Sequence, residues 1–286
     1  MVSSRRRAIK RAAVAALGLL LVIGAAFAVV QLGSRGSTAA ASKGLPAPVI
    51  CGSCWKPPLR LEWQWQLSGK LDTSIHASVY DVDMFGTSKT QVRALHRLGR
   101  RVICYIDAGT WENWRPDAPR FPKSVIGRPV QGWQGEWWLD VRRIRTLRPL
   151  ISARVTACRQ KGFDGVEFDN VDGYQNQTGF PLTGREQLRY DIFLANLAHD
   201  AGLSVALKND TGQVAKLLPY FDYALDEQCF QYQECGALRP FVKAGKPVFE
   251  VEYSLRRSQF CQRANALNFN SMRKHLSLGP WRRPCS

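Results

Sequence analysis

From about residue 60 onward, short apolar runs alternate with stretches of helical spacing. Eight runs read as strands: Leu61–Leu67, Ile75–Tyr80, Arg101–Ile106, Gly165–Phe168, Leu203–Leu207, Asp222–Leu225, Pro247–Val251 and Asn268–Lys274. Between several of them lie helices with legible ends. Ser88-Lys-Thr-Gln91 is a capping box, Val92, Leu95 and Leu98 form the apolar stripe behind it, and Gly99 stops it. Thr183-Gly-Arg-Glu186 opens a second helix in the same way. Leu188, Ile192, Ala195 and Ala198 or Leu197 form its buried side, and Gly202 ends it. A third helix is expected over roughly Leu147–Gln160, closed by Gly162.

Strand–helix alternation with eight strands predicts an α/β protein, a (β/α)8 TIM barrel over residues 60–286. The first strand has no helix before the second, and the final helix is missing or very short. A doubly wound sheet competes, but no glycine-rich nucleotide fingerprint follows any strand. Residues 108–146, rich in Trp, Pro and Gly, make a long connection, expected to be a functional lip.

The N-terminus has another pattern. Arg5, Arg6, Arg7, Lys10 and Arg11 precede an apolar run from Ala12 to Val30. Residues 1–32 are therefore expected to be a signal peptide or a single membrane anchor, and 33–59 a flexible Gly/Ser/Ala/Pro linker. Ala26-Phe-Ala28 and Ala39-Ala-Ala41 offer cleavage sites. The basic flank holds the N-terminus inside, so the folded part is expected to be exported, either secreted or anchored to the outer face of the membrane. Eight cysteines fit an oxidising compartment. Cys229 with Cys235 and Cys261 with Cys285 are candidate disulfides; the pairing of Cys51, Cys54, Cys104 and Cys158 stays open.

Composition is that of a globular domain, 45% hydrophobic and 22% charged, which excludes disorder and a multi-span membrane protein. The net charge of +17 favours polyanionic neighbours, including a cell envelope. No nucleic-acid motif accompanies it, so no specific nucleic-acid partner is expected, and a monomer is. Nine tryptophans supply flat rings of the kind that cover sugar faces. Trp63, Trp65, Tyr80, Tyr105, Trp111, Trp114, Trp133, Trp137, Trp138 and Tyr174 lie in or after the relevant segments, and about half belong to the core.

The chemistry gathers where the expected strands end, the face on which a barrel carries its site. Asp81 and Asp83 follow the second strand and Asp107 the third. The fourth runs into Glu167-Phe-Asp169-Asn170-Val-Asp172, with Tyr174 just beyond. The fifth ends in Lys208-Asn209-Asp210, the sixth in Asp226-Glu227-Gln228, and the seventh reaches Glu252-Tyr253. Alternation points Glu167 and Asp169 the same way, with Phe168 outward, and makes Glu167 an orienting residue below Asp169. Glu227, two strands on, can face Asp169 across the pocket. Two carboxylates suit glycoside hydrolysis, in which one protonates the leaving oxygen while the other stays ionised. Gly-x-Ser-x-Gly is absent, and the histidines at 76, 96, 199 and 275 form no metal spacing. No cofactor and no metal are expected; a carboxylate-only metal site around Asp169, Asp172 and Asp210 is the metal-bearing alternative. The non-enzymatic alternatives are a barrel that binds cell-envelope glycans without cutting them, and a basic adhesin that acts through charge.

Several stretches resemble glycoside hydrolase family 114. They are Trp63-Gln-Trp-Gln-Leu67, Val79-Tyr-Asp-Val-Asp-Met-Phe-Gly-Thr-Ser88, Val102-Ile-Cys-Tyr105, Trp114-Arg-Pro-Asp-Ala118, Gly165-Val-Glu-Phe-Asp-Asn-Val-Asp-Gly-Tyr174, Gly179-Phe-Pro-Leu-Thr183, Leu207-Lys-Asn-Asp210 and Glu227-Gln-Cys-Phe230. The resemblance covers about residues 60–285. It implies a TIM-barrel endo-α-1,4-polygalactosaminidase acting on galactosamine-containing polysaccharide, with catalytic carboxylates at Asp169 and Glu227. By analogy with retaining α-glycosidases, Asp169 would be the nucleophile and Glu227 the acid/base. Trp65, Asp81, Asp83, Tyr105, Asp107, Glu167, Asn170, Asp172, Tyr174, Lys208, Asn209, Asp210 and Glu252 are the expected substrate-binding residues. Asp107 stands where many relatives carry Ser, Phe168 where Pro is common and Gly86 where Asp is common. These departures spare the acid pair and leave the sugar open.

Overall fold

The computed structural model describes residues 44–285. The signal or anchor expected over 1–32 lies outside them, as does the linker as far as residue 43. Among the described residues no helix is long and apolar enough to cross a membrane. The elements below all belong to one compact unit, residues 48–286.

In chain order, β1 (Trp63–Gln66) and β2 (Val79–Asp83) follow one another without a helix, and α1 (Lys89–Arg97) leads to β3 (Arg101–Asp107). The capping box of Ser88 and Gln91 forms as its spacing predicts. The long connection then folds into β4 (Thr110–Glu112), β5 (Ile126–Pro129) and β6 (Glu136–Leu139) before α2 (Ile144–Lys161) and β7 (Gly165–Asp169). Next come α3 (Gly184–Asp200), opened by the capping box of Thr183 and Glu186, then β8 (Ser204–Lys208), α4 (Val214–Leu217) and β9 (Tyr223–Glu227). The chain ends in α5 (Arg239–Lys243), β10 (Val248–Glu252), α6 (Arg257–Ala266), β11 (Asn270–Lys274) and β12 (Arg282–Pro284).

The main sheet runs β1-β2-β3-β7-β8-β9-β10-β11-β12. Its first eight members pair in parallel, and β12 alone is antiparallel. The result is a mixed α/β fold with a nearly closed, barrel-like sheet. Side chains and loop backbone close the seam between β1 and β11. Trp63 Nε1 donates to Asn270 O at 2.8 Å, Arg282 Nη1 to Trp63 O at 2.9 Å, and Leu67 N to Leu278 O at 2.9 Å. The interior is filled at alternate positions by Trp63, Trp65, Val79, Ile103, Ala206, Tyr223, Leu225, Phe249, Val251 and Met272.

Two departures from the sequence reading bear on the site. The strands from β2 to β10 run one to three residues further than their apolar runs, so that Asp81, Asp83, Asp107, Asp169, Lys208, Glu227 and Glu252 lie within them. Acids disfavour strands in isolation, but the sheet carries them where they have partners. The lip, expected to be a loop, holds an antiparallel sheet of order β4-β6-β5. Its ladder pairs Trp111 with Trp137 and Thr110 with Trp138, cross-strand contacts that only the folded hairpin creates.

The linker expected to run to residue 59 is structured from Pro48. Val49 N donates to Asn196 Oδ1 at 2.9 Å, and Trp55 packs on Tyr223 with ring centroids 6.1 Å apart. Four disulfides form among the described residues. Cys229–Cys235 and Cys261–Cys285 match the expected pairs, and Cys51–Cys54 and Cys104–Cys158 fill the open positions.

Candidate active site

One lysine organises the mouth of the barrel. Lys208, the last residue of β8, is 1% exposed, and its ammonium lies among three carboxyl groups. It is 2.6 Å from Asp169 Oδ1, 3.2 Å from Glu167 Oε1 and 3.2 Å from Glu227 Oε2. The Trp65 ring lies beneath it at 4.9 Å, a cation–π contact on an apolar floor. Because Asp169 and Glu227 share this ammonium, their facing oxygens are at most about 6 Å apart, the two legs laid end to end.

The two acids are the least covered of the group, with side chains 18% and 25% exposed. Tyr105 OH donates to Asp169 Oδ2 at 2.8 Å, and the Asn170 amide donates to Asp169 Oδ1 at 2.8 Å. Tyr253 OH donates to Glu227 Oε1 in a short hydrogen bond, and Glu227 N donates to Asn209 Oδ1 at 3.0 Å. Burial alone would raise the Asp169 carboxyl, but Lys208, Tyr105 and the Asn170 amide outweigh it and hold the group below the ordinary Asp value. Below it, burial pushes Glu167 up to about 7 against the pull of Lys208. Asp81 is raised further, by burial and by Glu167 beside it. The upper acid is thus biased toward the charged form, and the lower ones toward the protonated form.

The backbone aims these groups by a repeated device. Asn170, Asn209 and Gln228 follow the last residues of β7, β8 and β9, with φ of 61°, 52° and 65°. A left-handed residue turns the chain sharply at the rim, just after the functional side chain. Asparagine tolerates that conformation well; glutamine does so at a cost of about 1 kcal/mol. Gly109 lets the neighbouring exit pass: a Cβ there would lie 1.7 Å from Asn170 O.

The lip is tied to this rim through a buried acid cluster. Asp107 accepts from Thr110 N at 2.8 Å, from Asn170 Nδ2 at 2.9 Å and, in a short bond, from Thr110 Oγ1. Glu136 Oε1 lies 2.7 Å from the same hydroxyl and 3.1 Å from Asn170 Nδ2. One hydroxyl hydrogen cannot serve two carboxylates, so one of the pair must be protonated. Burial, with Asp107 close by, pushes Glu136 up to about 9. Arg115 clasps the lip to β2, 2.6 Å from Asp83 Oδ2 and forked onto Glu112 at 2.6 and 2.9 Å.

Several expected sugar contacts have other positions. Trp65, Asp81, Asp107, Glu167, Lys208, Asp210 and Glu252 are buried, 2% exposed or less, and face protein groups. Asp107 holds the lip and Asn170, so it does not add a free carboxylate to the cleft. Asp83 binds Arg115 and the Gly86 amide. Asp210 accepts from Tyr174 OH at 2.9 Å, and Asp172 is buried beside Asn176. Glu252 accepts the Phe230 and Gln231 amides at 2.9 and 3.1 Å and so braces the loop after Glu227, which Cys229–Cys235 also closes. Tyr253 is the residue the sequence reading passed over in favour of Glu252. Counting by twos from Phe249 and Val251 puts Tyr253 inside and Glu252 outside, a signal present in the alternation. Thr110, Arg115 and Glu136 had no such signal. Among the described residues no group of three or more His, Cys, Asp or Glu is arranged to hold a metal ion.

Residues 47–286 match the description of glycoside-hydrolase family GH114. The chain belongs to that family. This GH114 member is similar to Ega3 of Aspergillus fumigatus, solved in complex with galactosamine. Identity is 36% over 83% of this chain and 99% of that one, with a TM-score of 0.79. It shares its fold with the glycoside hydrolase domain of PelA from Pseudomonas aeruginosa, at 12% identity, a TM-score of 0.61 and coverage of 76% and 95%. No curated protein matches it. The GH114 chain is a glycoside hydrolase.

Proposed function

We propose that this protein is an exported endo-glycosidase that cleaves α-1,4-linked galactosamine-containing polysaccharide with retention of configuration. Asp169 is the nucleophile and Glu227 the acid/base. The observation that carries this reading is the shared ammonium of Lys208, which holds the two acids within about 6 Å of each other. Retaining pairs stand about 5–5.5 Å apart, whereas an inverting pair needs about 6.5–9.5 Å to admit a water. The sugar class is supported by the relative solved with galactosamine, and export by four disulfides behind an apolar, basic-flanked N-terminus.

In the first step the ionised Asp169 attacks the anomeric carbon while Glu227 gives its proton to the departing glycosidic oxygen. A glycosyl ester forms on Asp169 and the C–O bond to the leaving chain breaks. In the second step Glu227 takes a proton from water, the hydroxide attacks the same carbon, and Asp169 leaves as the carboxylate. Lys208 and Tyr105 keep Asp169 charged and pointed, and Tyr253 fixes one oxygen of Glu227. The buried Lys208 supplies the positive charge among the carboxylates, so activity on the polymer should survive dialysis against EDTA; loss restored only by a divalent ion would overturn that part.

The test is hydrolysis of α-1,4-galactosaminan and its partly acetylated forms by Asp169→Asn and Glu227→Gln. Each should lower kcat by about 10²–10⁴-fold in folded protein. More than a tenth of wild-type turnover in either variant rejects the pair, and products of inverted anomeric configuration reject retention.

A further inference from the structure

Among the described residues the exposed large hydrophobic side chains include two aromatic rings, Trp114 at 53% and Trp133 at 43%. Both lie on the lip, at the end of the β4–β6 ribbon, where Asn113 N donates to Gly135 O at 2.9 Å. Trp114 is pinned in spite of its exposure. A Cβ on Gly135 would lie 2.8 Å from its ring, so the indole lies against a backbone that only glycine leaves bare. Beside it runs a groove of about 670 Å³, lined by Trp133 and Trp137 together with the uncharged Asn113, Gln134 and Pro129. Trp137 is braced in turn by Trp111, with ring centroids 5.1 Å apart.

We infer that this ribbon end is a second glycan-binding platform, which holds uncharged sugar units of the same polysaccharide chain beyond the catalytic centre. The inference rests on the glycosidase reading above. Three observations carry it. Exposed indoles flanked by amide groups, one of them held against Gly135, match the half-apolar, half-hydroxylated faces of sugar rings. No charged side chain lines the groove, although the chain carries a net charge of +17, so the surface suits a neutral ligand and not an ionic one. The same ribbon is fastened to the acid site: Thr110, at its far end, binds Asp107, and Glu136 reaches Thr110 and Asn170, next to Asp169. From Thr110 to Asn113 the ribbon extends roughly 10 Å; Trp137 alternates to the face opposite Thr110 and Glu136, so a polymer chain reaches both places by passing over the ribbon's end.

The test compares wild type with Trp114→Ala/Trp133→Ala on partly acetylated α-1,4-galactosaminan and on its trisaccharide. The double variant should raise KM for the polymer at least tenfold, leave kcat within twofold, and leave trisaccharide hydrolysis unchanged. Trp114→Phe/Trp133→Phe should restore most of the polymer affinity. Gel retardation of Asp169→Asn protein by the polymer reads the platform without catalysis, and the alanine pair should abolish it. An unchanged polymer KM, or unchanged retardation, overturns the platform. So does light scattering that shows a wild-type dimer lost in the variant, since the rings would then be a self-contact. Wild type that retards in the gel but cuts no polymer would sink the glycosidase reading and leave the platform standing.

Discussion

Replacing Lys208 by methionine tests the electrostatics of the site most directly. The stem length is nearly kept, so the Trp65 floor is retained while one buried charge is removed. That charge faces Asp169 at 2.6 Å and Glu227 at 3.2 Å. At an effective dielectric constant near 20, a pair at about 3 Å interacts by about 5 kcal/mol. Water and relaxed side chains entering the gap recover roughly half, which leaves about 2–3 kcal/mol, or one to two pH units at 1.36 kcal/mol each. In wild type the acidic limb of kcat/KM should lie below the ordinary Asp value of 3.8, because Asp169 is held down. In Lys208→Met that limb should rise by about one to two units. Turnover on the polymer should then fall by a few-fold to about 30-fold at pH 4, and much less at pH 7. Stability moves with a definite sign. A depressed carboxyl stabilises the fold above its unfolded value and loses that contribution as the pH falls through its folded value. The Tm penalty of the variant should therefore be large at pH 7 and shrink toward pH 3. Tyr105→Phe, which removes only the 2.8 Å hydrogen bond, should move the limb the same way by about one unit. Acidic limbs of both folded variants that superimpose on wild type would refute the argument.

Glu136, raised to about 9 from an ordinary 4.5, keeps its proton in the fold and loses it in the unfolded chain. Stability should therefore fall as the pH rises between those values, and Glu136→Gln should remove that share. Thermal melts should show no gain at pH 4.5 and a gain of several degrees at pH 8 to 9, at about 2–4 °C per kcal/mol; equal Tm differences at both ends would defeat it. Cys104→Ala/Cys158→Ala opens a loop of separation 54 between β3 and α2 and should cost about 3–5 kcal/mol in urea unfolding. Thiol titration of unfolded, unreduced protein should find few free groups, and six or more would remove the disulfide framework.

Local patterns in the chain already carried much of this molecule. The two capping boxes, the succession of eight strands along the chain and the absence of a helix after the first depend on neighbours a few residues apart, and the side-chain period displays them. Asp169 and Glu227 were legible because each closes an apolar run on the inward phase. The same phase, carried two residues past Val251, points to Tyr253. What was not legible depends on distance through space. Lys208 reads as a polar strand end until β7 and β9 bring three carboxyl groups around it. Asp107 reads as an acid for the cleft until Thr110 and Asn170 enclose it. Whether a charged strand end faces ligand or protein is set by its countercharge, and that partner here lies 39 residues away in the case of Lys208 and Asp169. Periodicity records which way a side chain points; only the closed sheet supplies what it meets, because electrostatic and hydrogen-bond energies depend on separations of a few ångströms that the order of residues does not contain.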